Sequence, residues 1–276
     1  MADPDRFTDL RARAITSVIL AGVAAAAIWF GGLWTVALVT VGTAIMLVEL
    51  AGLSEGSRRG DPMSGATLWA LPAAALPITF LFLTVPQGLF LILCLILAAM
   101  LIDVLARRAA GLAVRTIGAL LVTGIGLAFL WLRHFPDWGL LTAIWIALVV
   151  AATDIGAYFA GRLIGGPKLW PSISPKKTWA GLGGGLVAAF VTGGLFSWAT
   201  TGTYFPQVCT VSAVAALLAQ AGDLCESSLK RRYGAKDSGT LLPGHGGLLD
   251  RCDGLLAATL VAALMTFWRG QAVFVW

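Results

Sequence analysis

The stretch VCTVSAVAALLAQAGDLC, Val208–Cys225, runs into ESSLKRRYGAKDSGTLLPGHGG (226–247) and then into LLDRCDGLLAATLVAALMTFW, Leu248–Trp268. Each outer segment is apolar over about the 20 residues a helix needs to cross a hydrocarbon core, and the segment between them is charged and glycine-rich. Apolar run, polar connection, apolar run is the pattern of an all-α polytopic membrane protein, and it recurs along the chain. Spans are predicted at Ala14–Phe30, Leu33–Leu53, Ala66–Val85, Gly88–Ala106, Leu112–Leu132, Gly139–Gly161, Trp179–Ala199, Val208–Cys225 and Leu248–Trp268. Pro72 and Pro77 should kink the third. Composition agrees: 58% of residues are apolar, 12% are charged, and the mean hydropathy is +0.87, which leaves too little polar surface for a soluble domain.

The connections carry an orientation. With the N-terminus in the cytoplasm, that side holds Arg6, Arg11, Arg13, Arg58, Arg59, Arg107, Arg108, Arg115, Arg162, Lys168, Lys176, Lys177, Lys230, Arg231, Arg232, Lys236 and Arg251. The other side holds Arg133 and Arg269. Seventeen against two is the positive-inside distribution, and one missed span would scramble it. Nine helices with the N-terminus inside therefore put the C-terminus outside. The same distribution explains the pI near 9.3 without a nucleic-acid partner.

The other features are plain. Cys94, Cys209, Cys225 and Cys252 show no CxxC spacing and read as small apolar filler. Arg6, Arg11 and Arg13 before an alanine-rich run mimic a signal peptide, but Asp3, Asp5 and Asp9 dilute the charge, so the segment reads as a retained first helix. Residues 1–110 read as a scaffold or oligomer surface, and 111–276 as the region that carries chemistry. No inverted repeat is evident and charges cluster at one face, both of which argue against a secondary transporter.

Ionisable groups within spans are costly and mark polar cavities. Asp103 stands one turn before Arg107 and reads as an interfacial i,i+4 pair; Glu49 is balanced between snorkelling and a structural buried bond. Asp223 near the inner end of the eighth span, with Asp250 and Asp253 at the start of the ninth, puts three acids at one depth. Their i,i+3 spacing sets Asp250 and Asp253 on one helix face. Hard oxygen ligands in a phosphate setting point to magnesium shared by Asp223, Asp250 and Asp253. Ser174-Pro175-Lys176-Lys177-Thr178 opens the seventh helix, where Lys176, Lys177 and helix N–H groups suit phosphate. Gly244, Gly246 and Gly247 around His245 permit close backbone approach to a ligand, and Lys230, Arg231 and Lys236 lie in the same final loop.

At these residues the chain resembles the phosphatidate cytidylyltransferase (CDP-diacylglycerol synthase) family. The resemblance rests on Ser227-x-Leu229-Lys230-Arg231, Lys236-Asp237-x-Gly239, and Leu242-Pro243-x-His245-Gly246-Gly247-Leu248-x-Asp250-Arg251-x-Asp253. Gly222-Asp223-Leu224, Asp154-x-Gly156-Ala157-Tyr158 with Gly161-Arg162, and Ser174 to Thr178 are similar to further blocks. Residues 150 to 265 are covered closely and the N-terminal helices only in hydropathy. Many members have Glu where this chain has Ala180, which puts details of the lysine site in doubt. The resemblance implies that CTP and phosphatidic acid give CDP-diacylglycerol and pyrophosphate with Mg2+, and it leaves room for a second cation. It implies catalytic roles for Asp223, Lys230, Arg231, Lys236, Asp237, His245, Asp250 and Asp253. Substrate binding falls to Asp154, Ser174, Lys176, Lys177, Thr178, Gly246, Gly247 and Arg251. It further implies a bacterial inner membrane, a site facing the cytoplasm, and a homodimer. Asp250-Arg251-Cys252-Asp253-Gly254 partly imitates a CDP-alcohol phosphotransferase, but the later acids of that motif are missing. A CTP-dependent polyprenol or phytol kinase, transferring the γ-phosphate to an alcohol with the same metal and lysines, is the standing alternative.

Overall fold

The computed structural model of the chain describes residues 18–54, 65–106, 110–203, 205–239 and 246–276. Arg6, Arg11, Arg13, Arg58, Arg59, Arg107, Arg108, Leu242, Pro243, Gly244 and His245 lie outside them. Helix α1 covers Val18–Phe30. The chain then runs through α2 (Gly32–Ser54), a 3-10 helix (Gly65–Ala74), α3 (Ala75–Phe82), α4 (Val85–Leu105), α5 (Leu112–Arg133) and α6 (Gly139–Leu163). Strands β1 (Lys168–Trp170) and β2 (Ser174–Thr178) precede α7 (Trp179–Thr201), α8 (Pro206–Arg232) and α9 (Leu249–Arg269). Among the described residues, seven helices are long and apolar enough to cross a membrane.

The predicted third span is two pieces. Pro72 lies inside the 3-10 helix and Pro77 in the first turn of α3, so missing N–H groups favour the tighter helix and then a restart. Ten residues rising about 2.0 Å each and eight rising about 1.5 Å reach about 32 Å end to end, close to the hydrocarbon thickness of about 30 Å. The eighth helix runs past its predicted end at Cys225 to Arg232, so Lys230 and Arg231 are helical rather than loop residues. The extension carries its own i,i+4 pair, Glu226 Oε1 to Lys230 Nζ at 3.2 Å. Ser174–Thr178 likewise is a strand before α7, paired antiparallel with β1 through Lys168–Thr178 and Trp170–Ser174.

By packing, the chain forms two compact units: residues 1–130 with 232–251, and residues 131–231 with 252–276. In the first, the core gathers Leu47, Leu50, Trp69, Leu76, Ile92 and Ile96. A charged pair is buried there as well. Arg115 Nη2 lies 3.0 Å from Asp103 Oδ2, both side chains fully buried. Trp69 Nε1 donates to the same oxygen at 2.9 Å, and Arg115 Nη1 donates to Ser54 Oγ at 3.3 Å. Asp103 was expected at the interface, paired with Arg107, which lies outside the described residues; Asp103 is instead fully buried, where α5 brings the Arg115 guanidinium alongside.

The second unit is organised by the crossing of α6 and α7. A Cβ at Gly156 would lie 2.5 Å from Ala188 Cβ and 2.6 Å from Gly184 O, and one at Gly184 would run into Ala160 Cβ. Absent side chains let the backbones close, the small-residue packing common between membrane helices. Beside the crossing runs an open apolar groove of about 800 Å³, lined by Phe159, Ile164, Gly183, Val187 and Val191 among others. The α5–α6 turn is equally tight: Asp137 has φ 64°, and a Cβ at Gly139 would overlap the Arg133 carbonyl.

Candidate active site

The second unit collects charge near the β2–α7 junction. Thr178, extended at φ −123° and ψ 157°, caps α7, its Oγ1 accepting from Gly181 N at 3.0 Å. That cap fixes the strand-to-helix turn and aims Lys177 at α8. Lys177 Nζ is 2.6 Å from Asp223 Oδ2 and donates to the Gln220 carbonyl at 3.3 Å. The other carboxylate oxygen, Asp223 Oδ1, accepts from Ser227 Oγ at 3.2 Å, one turn along the helix. The pair is only partly buried, with side-chain exposures of 21% for Lys177 and 41% for Asp223, so ligand can reach it.

Asp253 comes to the same place from α9. A Cβ on Gly222 would be 3.7 Å from the Asp253 carbonyl, which is how closely α8 and α9 run. Asp253 Oδ1 accepts from Gly254 N at 2.7 Å. The Asp253 side chain is in hydrogen-bonding contact with Glu226 and lies within electrostatic range of Asp223 and Asp154. Four acids, Asp154, Asp223, Glu226 and Asp253, thus neighbour one another, and Lys177 and Lys230 pair with two of them. Of these, Glu226 was missed from the sequence. Its signal was present in the i,i+4 spacing to Lys230, but the apolar run ending at Cys225 placed it in a loop. Gln220 was missed too: buried, it donates from Nε2 to Leu182 O at 3.5 Å and ties α8 to α7.

The other predicted site residues fall in the first unit or toward the surface. Asp250, in the first turn of α9, accepts from Ser238 N at 3.1 Å (Oδ1) and 3.0 Å (Oδ2), and from Gly247 N at 2.9 Å (Oδ2). Gly246 has φ 82°, a left-handed conformation that glycine adopts readily, and a Cβ there would be 3.0 Å from Asp250 Oδ2. Glu49 of α2 faces the same segment. Its Oε1 accepts from Leu248 N at 2.9 Å, and its Oε2 from Leu249 N at 2.9 Å and Ser238 Oγ at 3.3 Å. The balance between snorkelling and a buried bond is settled for Glu49: it is a buried helix cap. Lys176, Arg231, Lys236, Asp237 and Arg251 are exposed, and Ser174 is half-buried on β2.

The donor set suits a hard cation. Neighbouring carboxylates such as Asp253, Glu226 and Asp223 repel one another unless a proton or a cation offsets their charge. Among the described residues no three His, Cys, Asp or Glu side chains form a ready-made metal cage. Magnesium does not require such a cage, because it keeps several waters and takes one or two carboxylates.

A helical membrane protein with acids and lysines gathered at helix ends, two of those acids holding the start of its last helix, belongs with enzymes that handle anionic substrates at a bilayer. The comparison with known proteins narrows this class. The cytidylyltransferase family's sequence profile matches residues 11–268, and the chain belongs to that family. It is 38% identical over 261 residues to a phosphatidate cytidylyltransferase of Brucella melitensis, covering 93% of each chain. Enzymes of the same name from Bacillus subtilis and Helicobacter pylori are each 43% identical, over 129 and 144 residues, about half of each chain.

Proposed function

We propose that the chain is an integral membrane nucleotidyltransferase that converts CTP and phosphatidic acid into CDP-diacylglycerol and pyrophosphate. The observation that carries this reading is the Lys177–Asp223 pair, linked through Asp253 to Asp154 and to the Glu226–Lys230 pair within one unit. Such a site holds phosphates through cations while reserving carboxylates for a metal.

The lipid phosphate is already an anion near neutral pH and needs no strong base. An oxygen of that phosphate forms the new bond to the α-phosphorus of CTP as the α–β bridging bond breaks and pyrophosphate leaves with the electron pair. What the protein supplies is alignment and charge neutralisation. Lys177 and Lys230 would neutralise phosphate charge from within the site, and Lys176 and Arg231 from its exposed margin; Lys236 and Arg251, both exposed, are further candidates for the same work. Asp223 and Asp253, with Asp250 one turn earlier on the same helix, are the residues that would hold magnesium. Bound there, the ion would supply Lewis-acid polarisation of the triphosphate. Asp154, within electrostatic range of Asp253, would orient a lysine or a second cation.

The distribution of Lys and Arg supports a site on the cytoplasmic side of a bacterial inner membrane, with acyl chains kept in the bilayer. The family resemblance supports a homodimer. Incubating purified protein with magnesium, phosphatidic acid and CTP labelled at the α-phosphate tests the reaction. Label should move into lipid as pyrophosphate appears. Label left in nucleotide, with γ-phosphate passed to an alcohol, would replace this reading with the lipid-kinase one.

A further inference from the structure

Glu49 lies about 200 residues from the segment it binds, in an N-terminal helix that the sequence reading treats as scaffold. Its two oxygens take two N–H groups, Leu248 and Leu249, at the start of α9, where an N-terminal helix end has donors but no carbonyls to receive them. A negative charge at this end is also favoured by the helix dipole. Oε2 additionally accepts the Ser238 hydroxyl, so the same carboxylate ties the segment before the 240–245 stretch to the segment after it.

Two glycines make room for this group. A Cβ at Gly239 would stand 2.6 Å from Glu49 Oε1, and one at Gly247 would stand 2.8 Å from Oε2. These glycines therefore read as space left for a carboxylate from another helix, alongside any role in approaching ligand. Asp250 completes the arrangement by taking Ser238 N and Gly247 N. Between them, two carboxylates divide the amide donors of 238 and 247–249. Ser238 is shared, its backbone bound by Asp250 and its hydroxyl by Glu49. Whatever fixes Ser238 and the first residues of α9 fixes the Asp250 carboxylate.

We propose that Glu49 is a positioning residue for cytidylyl transfer: it holds Ser238 and the start of α9, and through them sets the orientation of Asp250. The proposal rests on the function read above. A carboxylate is required because all the groups facing it are donors. Glutamine, the same size, would turn its own NH2 group toward an amide N–H and leave that donor unsatisfied. Aspartate keeps the charge but is one methylene short.

The test uses full-length protein in lipid nanodiscs, comparing wild type with Glu49→Gln, Glu49→Asp and Glu49→Ala. Glu49→Gln should lower kcat by about 10–100-fold, the usual cost of removing a group that holds a metal-binding carboxylate in place. KM for phosphatidic acid should stay near wild type, and activity should be counted per folded molecule. Glu49→Asp should recover part of the loss. Amide hydrogen exchange at Leu248 and Leu249, measured without magnesium or substrate, should speed up in Glu49→Gln. Should Glu49→Ala fail to fold, the isosteric Gln variant still decides. Wild-type kcat per folded molecule in Glu49→Gln, or unchanged amide protection, would overturn the proposal. An inactive wild type would instead overturn the function on which it rests.

Discussion

Lys177 and Asp223 meet at 2.6 Å while both remain partly exposed, an arrangement suited to exchanging partners when phosphate and metal arrive. Asp223→Asn should remove the charge proposed to face magnesium and release Lys177, with kcat falling by about 100-fold or more, the scale seen when one preorganised electrostatic group is removed. Melting should change little, since a part-exposed pair contributes little to stability; normal turnover in the variant would take Asp223 out of the site. Asp103 and Arg115 make the opposite case. Fully buried and bound to Trp69 and Ser54, they are remote in role from any ligand. Asp103→Ala leaves an uncompensated guanidinium, a loss of about 3–5 kcal/mol by analogy with other broken buried pairs. Thermal unfolding in nanodiscs would measure it, and a shift of only a degree or two would mean that the cavity admits water. Residue identity was legible where charge stood out against an apolar run, as at Asp154, Asp223 and Asp253. Partner choice was not, because Glu49–Leu249 and Trp69–Asp103 are contacts between segments distant in sequence.

Helix existence was legible from hydropathy because a span must satisfy its backbone internally and bury apolar surface over a fixed length. Helix ends were harder. Polar residues past Cys225 resemble a loop, yet Glu226 and Lys230 can pair only because the helix continues. The 3-10 stretch before α3 escaped hydropathy too, since proline alters the hydrogen bonding without altering the apolar character. The α6–α7 crossing offers a test at this scale with two adjacent glycines. Gly184 is pressed against Ala160 and Gly156, whereas a Cβ at Gly183 would meet nothing within 4 Å, facing the open groove. Gly184→Leu should therefore force the helices apart, at a cost of about 1–3 kcal/mol or more, while Gly183→Leu folds as wild type. Yield after detergent extraction and the melting temperature of each would decide. Equal stability of the two variants would mean that the crossing does not depend on close backbone approach. Because α7 also carries the Thr178 cap and follows Lys177, Gly184→Leu should lower activity per folded molecule as well.

Packing divides the chain at Leu130 and returns residues 232–251 to the N-terminal unit, a pattern invisible in hydropathy because it depends on where Glu49 finds its donors. Orientation in the membrane is a property of the whole chain and follows from charge. Helix α6 spans 25 residues, about 37 Å at 1.5 Å per residue, so its two ends reach opposite sides of a bilayer. One end begins after Asp137, in the tight turn from α5, and the other leads to the β1–β2 hairpin, with Lys168, Lys176 and Lys177. Only two basic residues of the chain, Arg133 and Arg269, fall on the Asp137 side by the alternation of spans. The hairpin should thus face the cytoplasm, where CTP is available, because excess Lys and Arg are retained on that side. Single cysteines placed by Asp137→Cys and Ser172→Cys, with the four native cysteines replaced by serine or alanine, would report this in intact cells. A membrane-impermeant maleimide should label Asp137→Cys from outside at once and Ser172→Cys only after the cells are opened. The reverse pattern would turn the chain over and place the Lys177–Asp223 pair on the side away from nucleotide, which would remove the charge argument for the site's orientation.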